Sequence, residues 1–185
     1  ITTALPLIAP EAARAAVAGV QIGQSSAVAD ASPSSTLIVL EQDPADLVAL
    51  ISAVRRIVPD LTDELWPHLT LLYLGDVPER EALRVRAVAL AIADELPETL
   101  IPVEVGPLGD EGAIVLHVRR RGLDAVQGRL LRAAAPVVRA AQYPRFVPHI
   151  TLGYARSLTD AQIEALAALT VPAEIEAGPV VLRRG

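Results

Sequence analysis

From Thr36 onward the chain alternates short apolar runs with segments that repeat an apolar residue every third or fourth position. That is the signature of strands alternating with amphipathic helices. Thr36–Glu41 (TLIVLE) reads as a buried strand, and Pro44–Val58 sets Leu47, Leu50, Ile51, Val54 and Val58 on one helical stripe. His68–Leu74 reads as a strand ending at Gly75-Asp76, and Glu79–Leu96 as a helix closed by Pro97. Thr99–Val105 and Ala113–Val118 are predicted to pair as a hairpin. Leu123–Ala141 is predicted to be a long helix kinked at Pro136, and His149–Tyr154 a strand. Thr159–Leu169 has Thr159 at the N-cap and Gln162 three residues on, the spacing of a capping box. Ala173–Glu176 and Val180–Arg183 close the pattern as strands.

Residues 1–35 stand apart from this order. A short helix is expected over Ala12–Val20, followed by the small, polar stretch from Gly23 to Ser35, so the segment reads as an arm or linker. Residues 36–185 read as one domain of two lobes, about 36–98 and 99–185, in which the terminal strands can exchange. The order strand, helix, His-containing strand, helix occurs once in 36–96 and again in 113–169. Two copies with so long a period fit two lobes related by a pseudo-dyad, not a solenoid.

The repeat is sharpest in one phrase. Pro67-His-Leu-Thr-Leu-Leu-Tyr73 and Pro148-His-Ile-Thr-Leu-Gly-Tyr154 hold two of the three histidines, 81 positions apart. In a regular strand His68 and Thr70 share one face, as do His149 and Thr151, with the apolar residues opposite. On that basis Tyr73 and Tyr154 are expected on the core face. The His/Thr faces are expected to line a groove between the lobes. Two imidazoles and two hydroxyls suit phosphodiester transfer: one neutral imidazole takes a proton from the attacking oxygen and the other, protonated, gives one to the leaving oxygen. The hydroxyls donate to the non-bridging oxygens, where transition-state charge collects. This scheme needs no metal. The alternatives are histidines that serve packing alone, and a zinc site completed by a ligand from a distance. His117, in Ala113–Val118, is expected to be structural.

Composition narrows the field around this pair. The chain has 185 residues, 52% of them hydrophobic, with few aromatics, which is the profile of a globular α/β protein. No apolar run is long enough to span a membrane. With no Cys there is neither disulfide nor thiolate chemistry. Met is absent even at position 1, which fits a processed product or a fragment. The net charge of −6 is uneven: residues 1–110 hold 6 Arg against 16 acids, and 111–185 hold 10 Arg against 6. The acidic balance argues against general binding of long nucleic acid, while the basic second half suits a small anionic ligand. Around the repeated phrase, Trp66 and Phe146 can stack on a base or anchor the core. Arg145 and Arg156 can hold phosphate. Arg119–Arg121 read as solvated.

The stretches His68–Asp76 and Pro148–Arg156 resemble the two H-x-T-x signatures of the 2H phosphoesterase superfamily, most nearly its 2′-5′ RNA ligase (LigT-like) and cyclic phosphodiesterase branch. The resemblance covers about residues 36–185. It implies an α+β fold in which two pseudo-symmetric βαβ-type lobes turn antiparallel sheets toward a central cleft, here preceded by the N-terminal arm. It implies metal-independent cleavage, or in reverse ligation, at 2′,3′-cyclic or 2′-5′ phosphodiesters. His68 and His149 become the acid/base pair, with Thr70 and Thr151 the phosphate-binding hydroxyls; which histidine is the base stays open. The implied partner is a nucleotide or short RNA carrying a cyclic or 2′-5′ phosphate, with no cofactor and no membrane. Many ligase-like members place an Arg soon after the second motif's Leu, whereas Gly153-Tyr154-Ala155 precede Arg156 here. Superfamily members also occur in phage as cyclic-oligonucleotide hydrolases and as domains of virion proteins. The alternative reading is therefore a particle-associated module that binds through residues 1–35, virion-associated rather than cytoplasmic.

Overall fold

The computed structural model describes residues 36–64, 66–109, 112–137 and 145–184. The arm expected over 1–35 lies outside them. Nine strands and four α-helices make up the described fold: β1 (Thr36–Glu41), α1 (Pro44–Ile57), β2 (Thr62–Asp63), β3 (His68–Gly75), α2 (Glu79–Ala91), β4 (Thr99–Leu100), β5 (Pro102–Leu108), β6 (Ala113–Val118), α3 (Leu123–Ala134), β7 (His149–Tyr154), α4 (Asp160–Ala167), β8 (Ile175–Glu176) and β9 (Val180–Arg184). A 3₁₀ turn over Ala93–Glu95 follows α2.

The main sheet runs β5-β6-β7-β3-β1-β9, with β2 added on β7; β4 and β8 form a separate pair. All the strand pairings among the described residues are antiparallel, and the sheet divides into two halves, β9-β1-β3 and β5-β6-β7-β2. They meet through one residue pair, Leu69 and Ile150. Thus β9, last in the chain, returns to the half-sheet that β1 begins, while β2 crosses to the half-sheet of β7.

One face of this sheet is the core. Ile38, Leu40, Leu69, Leu71, Leu72, Ile114, Leu116, Ile150 and Leu152 form one buried cluster with Leu47, Leu50 and Val54 of α1, Ala82, Val85 and Ala89 of α2, Leu123, Val126 and Leu130 of α3, and Leu166 of α4. All four helices therefore cover the same face and leave the other to the cleft. Local signals start them where the sequence places them. The Asp43 side chain accepts from the Ala45 N–H ahead of α1, with Pro44 opening the helix. Thr159 and Gln162 form the capping box of α4, and Gln162 Nε2 donates to the Ile57 carbonyl, tying α4 to the end of α1.

Several elements depart from the sequence reading. The helix expected over Glu79–Leu96 is α2 only to Ala91, with the 3₁₀ turn taking up Ala93–Glu95. The strand expected over Thr99–Val105 divides: β4 pairs with β8, and β5 runs on to Leu108 and pairs with β6. The short β2, which no apolar pattern marks, pairs with β7. The third helix ends at Ala134 instead of running, kinked, to residue 141. Pro136 has no N–H to continue the ladder, so it stops the helix, and a turn closes with the Val137 N–H on the Ala134 carbonyl. Residues 138–141 of that expectation lie outside the described residues.

A further departure lies in the repeated phrase itself. In β3 the register with β1 slips between Thr70 and Leu72, leaving Leu71 as an extra residue; in β7 the register with β6 slips between Thr151 and Gly153, leaving Leu152. Each is a β-bulge, and the two fall at the same place in the phrase. A bulge turns two successive residues toward one face and reverses the alternation beyond it. Leu71 and Leu72 both enter the core, and Tyr73 is carried to the cleft face opposite Leu37. Tyr154 packs with Leu108, Ala113 and Val115 in a cluster separate from the main core. The expectation of core-facing tyrosines is thus corrected, because regular alternation does not survive the bulge.

At the second bulge a Cβ on Gly153 would stand 2.5 Å from the Thr62 carbonyl oxygen and 2.9 Å from Leu61 Cδ1. The β2 backbone lies against this glycine, so Gly153→Ala has to push backbone aside. We expect it to cost about 1–3 kcal/mol of stability in denaturant unfolding. A variant as stable as the parent would mean that β2 does not hold this position.

Candidate active site

Each motif histidine enters its strand from a proline. Pro67 and Pro148 fix their own φ and hold the preceding residue extended. Their carbonyls accept from the Gln42 and Val118 N–H groups, one in each half-sheet. This entry brings the carbonyl two residues back against each imidazole. His68 Nδ1 lies 2.8 Å from the Trp66 oxygen, and His149 Nδ1 lies 2.7 Å from the Val147 oxygen. A carbonyl can only accept, so in each ring Nδ1 carries the proton and Nε2 is left as the acceptor.

The junction of the half-sheets assembles the four motif side chains. Carrying the Leu69–Ile150 register one residue each way sets His68 beside Thr151 and Thr70 beside His149. Leu69 and Ile150 are fully buried on the helix side, so these four project into the cleft. Direct neighbours on one face stand about 5 Å apart at Cβ and diagonal ones about 7 Å. The imidazoles occupy one diagonal and the hydroxyls the other, a spacing that a single phosphate bridges.

Two rows extend this square across the sheet. Beyond His149 come its register partner His117 on β6 and then Glu104 on β5. Beyond His68 comes its partner Glu41 on β1, whose Oε1 accepts from Arg183 Nη2 at 2.6 Å and Nε at 3.2 Å. The Arg183 guanidinium also lies 5.6 Å from the Trp66 ring centroid. Burial pushes the His149 imidazole down to about 4; the Val147 carbonyl opposes the shift, and His117 and His68 reinforce it by charge. Burial also lowers His117, while the Glu104 carboxylate pulls it back up.

The other sequence-nominated residues fall as follows. Trp66 is 63% exposed beside His68. Phe146 is half-buried and packs against the main core, the anchoring alternative for that residue. Arg145 is exposed just before the second motif. Arg156 is exposed beyond the end of β7 opposite to His149. Arg120 pairs with Asp124, a solvated i,i+4 contact. No group of three or more His, Asp or Glu is arranged to hold a metal among the described residues. No helix among them is long and apolar enough to cross a membrane.

Strand alternation does not single out Arg183, Glu41 or Glu104, and it leaves His117 structural. A signal for two of them was present. Ile38-Val-Leu-Glu41 and Ile114-Val-Leu-His117 are a second repeated phrase, and Glu41 and His117 hold the same place in it. Register carries each of them to a motif histidine.

The comparisons agree with this architecture. The 2′-5′ RNA ligase superfamily model matches residues 42–184. No curated protein sequence matches the chain. Among solved structures, the MHV ns2 PDE domain superposes with a TM-score of 0.55 at 15% identity, covering 81% of this chain and 96% of that one. LigT of E. coli complexed with ATP gives 0.52 at 22%, covering 81% of each chain. LigT complexed with 3′-AMP gives 0.51 at 19%, covering 80% and 93%. The chain belongs to the 2′-5′ RNA ligase superfamily, a branch of the 2H phosphoesterases, which act on phosphodiester bonds.

The depressed His149 titration has a consequence for stability. Between about pH 6.5 and 4 the unfolded chain binds a proton that folded His149 refuses. Stability therefore falls as pH drops through that window. Denaturant unfolding across it should show the loss, and His149→Gln should flatten the slope. An unchanged slope would place the titration elsewhere.

Proposed function

We propose that this protein is a metal-independent phosphodiesterase that opens 2′,3′-cyclic phosphates or cleaves 2′-5′ phosphodiesters of nucleotides or RNA ends, with His68, His149, Thr70 and Thr151 as its catalytic residues. The observation that carries the reading is the pair of imidazoles, each anchored through Nδ1 to the carbonyl two residues back and each offering Nε2 to one cleft. The nucleotides held by the LigT neighbours support a nucleotide ligand.

The surroundings of the two histidines divide the work. His149 stays neutral at neutral pH and is fitted to take the proton of the attacking oxygen. The donor's role falls to His68. In ring opening, water attacks phosphorus while His149 Nε2 takes its proton. The bond from phosphorus to one ribose oxygen breaks, and His68 Nε2–H protonates that oxygen. Charge gathering on the non-bridging oxygens is met by the Thr70 and Thr151 hydroxyls. Trp66, stiffened by Arg183, offers an exposed ring beside His68 on which a base can stack. Arg145, at the edge of the second motif, adds a positive charge toward the phosphate.

His68→Ala and His149→Ala are each expected to lower kcat on a 2′,3′-cyclic nucleotide by roughly 10²–10⁴-fold. Thr70→Val and Thr151→Val should each cost roughly 10²-fold. The acid limb of kcat/KM should lie near pH 4, where His149 gains its proton. Steady-state assays of folded variants against cyclic nucleotides, 2′-5′ linked oligonucleotides and cyclic oligonucleotides test this. Full activity in either histidine variant would refute the assignment.

A further inference from the structure

We infer that His117 is a positioning residue of the site: with Glu104 it forms a proton-holding pair beside His149 that keeps the proposed base free to accept a proton. The inference rests on the phosphodiesterase reading and adds to it a residue outside both motifs.

The argument is one of placement. Glu104, His117 and His149 stand in successive register positions on β5, β6 and β7, on the face the helices do not cover. The imidazole reaches toward β5: a Cβ built on Gly106 would stand 3.9 Å from His117 Nε2, in ordinary contact. The equivalent position in the other half-sheet holds Glu41, already engaged by Arg183. A packing role would be met by an apolar residue in both copies. Instead one copy sets an anion beside its histidine, and the other sets a second base backed by a carboxylate.

The titratable groups facing His117 are Glu104 on β5 and His149 on β7; those facing His149 are His117 on β6 and His68 on β3. As pH falls, a proton entering this row settles best on His117, where Glu104 balances its charge. His117 so charged repels a second proton from His149. Burial lowers both titrations, but Glu104 draws that of His117 back up, whereas the charge of His117 lowers that of His149 further. Repetition of the fold thus yields two unlike half-sites, one built around a proton donor and one around a proton acceptor.

The test follows the histidine ring resonances of the full chain by NMR across pH, alongside the kcat/KM profile. In His117→Gln the His149 titration and the acid limb should both rise, by roughly half a unit. His117→Glu, which installs the residue of the first copy, should move them further in the same direction. Glu104→Gln keeps the imidazole and should lower the His117 titration, which gives a second arm should His117→Gln fail to fold. A folded His117→Gln variant whose His149 titrates as in the parent would overturn the proposal, as would a His117 indifferent to Glu104→Gln. Because the resonances report without turnover, loss of the phosphodiesterase reading would show separately, as no hydrolysis by a parent protein whose titrations still couple.

Discussion

The site depends on a single antiparallel contact, the pairing of Leu69 with Ile150, through which a three-stranded and a four-stranded half-sheet become one. Both side chains are wholly buried on the helix side, so the contact is held by core packing and not by anything in the cleft. A slip of one residue there would turn a motif's histidine and threonine into the core and its leucines into water. The register is thus enforced by the hydrophobic cost of every alternative.

Around this joint, the proposed mechanism draws its acid/base groups from duplication and its direction from small departures from it. Proline entry, the Nδ1–carbonyl hydrogen bond and the bulge recur in both halves. The neighbours on the flanking strands do not. Glu41 with Arg183 and Trp66 lies on one side, and His117 with Glu104 lies on the other. An acid/base pair needs its two members in different protonation states, and two identical half-sites would give them the same one. The asymmetry stands one strand away from each histidine, where it changes charge and solvation without disturbing the motif.

Much of this is legible in the sequence. β1, β6 and β7 fall on the predicted residues, and the starts of α1, α2 and α3 follow from Pro and Gly punctuation and apolar spacing. The capping box of α4 was readable from Thr159 and Gln162. The repeated phrase pointed to the motif pair, since His/Thr at offset two fixes a shared strand face. What escaped depends on contacts that local patterns do not encode. The bulges at Leu71 and Leu152 arise from pairing with strands far away in sequence, and they alone carry Tyr73 and Tyr154 to the cleft. Arg183 reaches the site because β9 returns across the whole domain to lie on β1. His117 looked structural because alternation gives its face but not its neighbour; the register with β7 supplies that neighbour.

The most direct test of the account is to follow chelator-treated full-length protein with a 2′,3′-cyclic nucleotide by ³¹P NMR, beside the His68→Ala/His149→Ala double variant. The account predicts conversion of the cyclic phosphate to a monoester by the parent and none above background by the folded double variant. Equal conversion by the two proteins would contradict it.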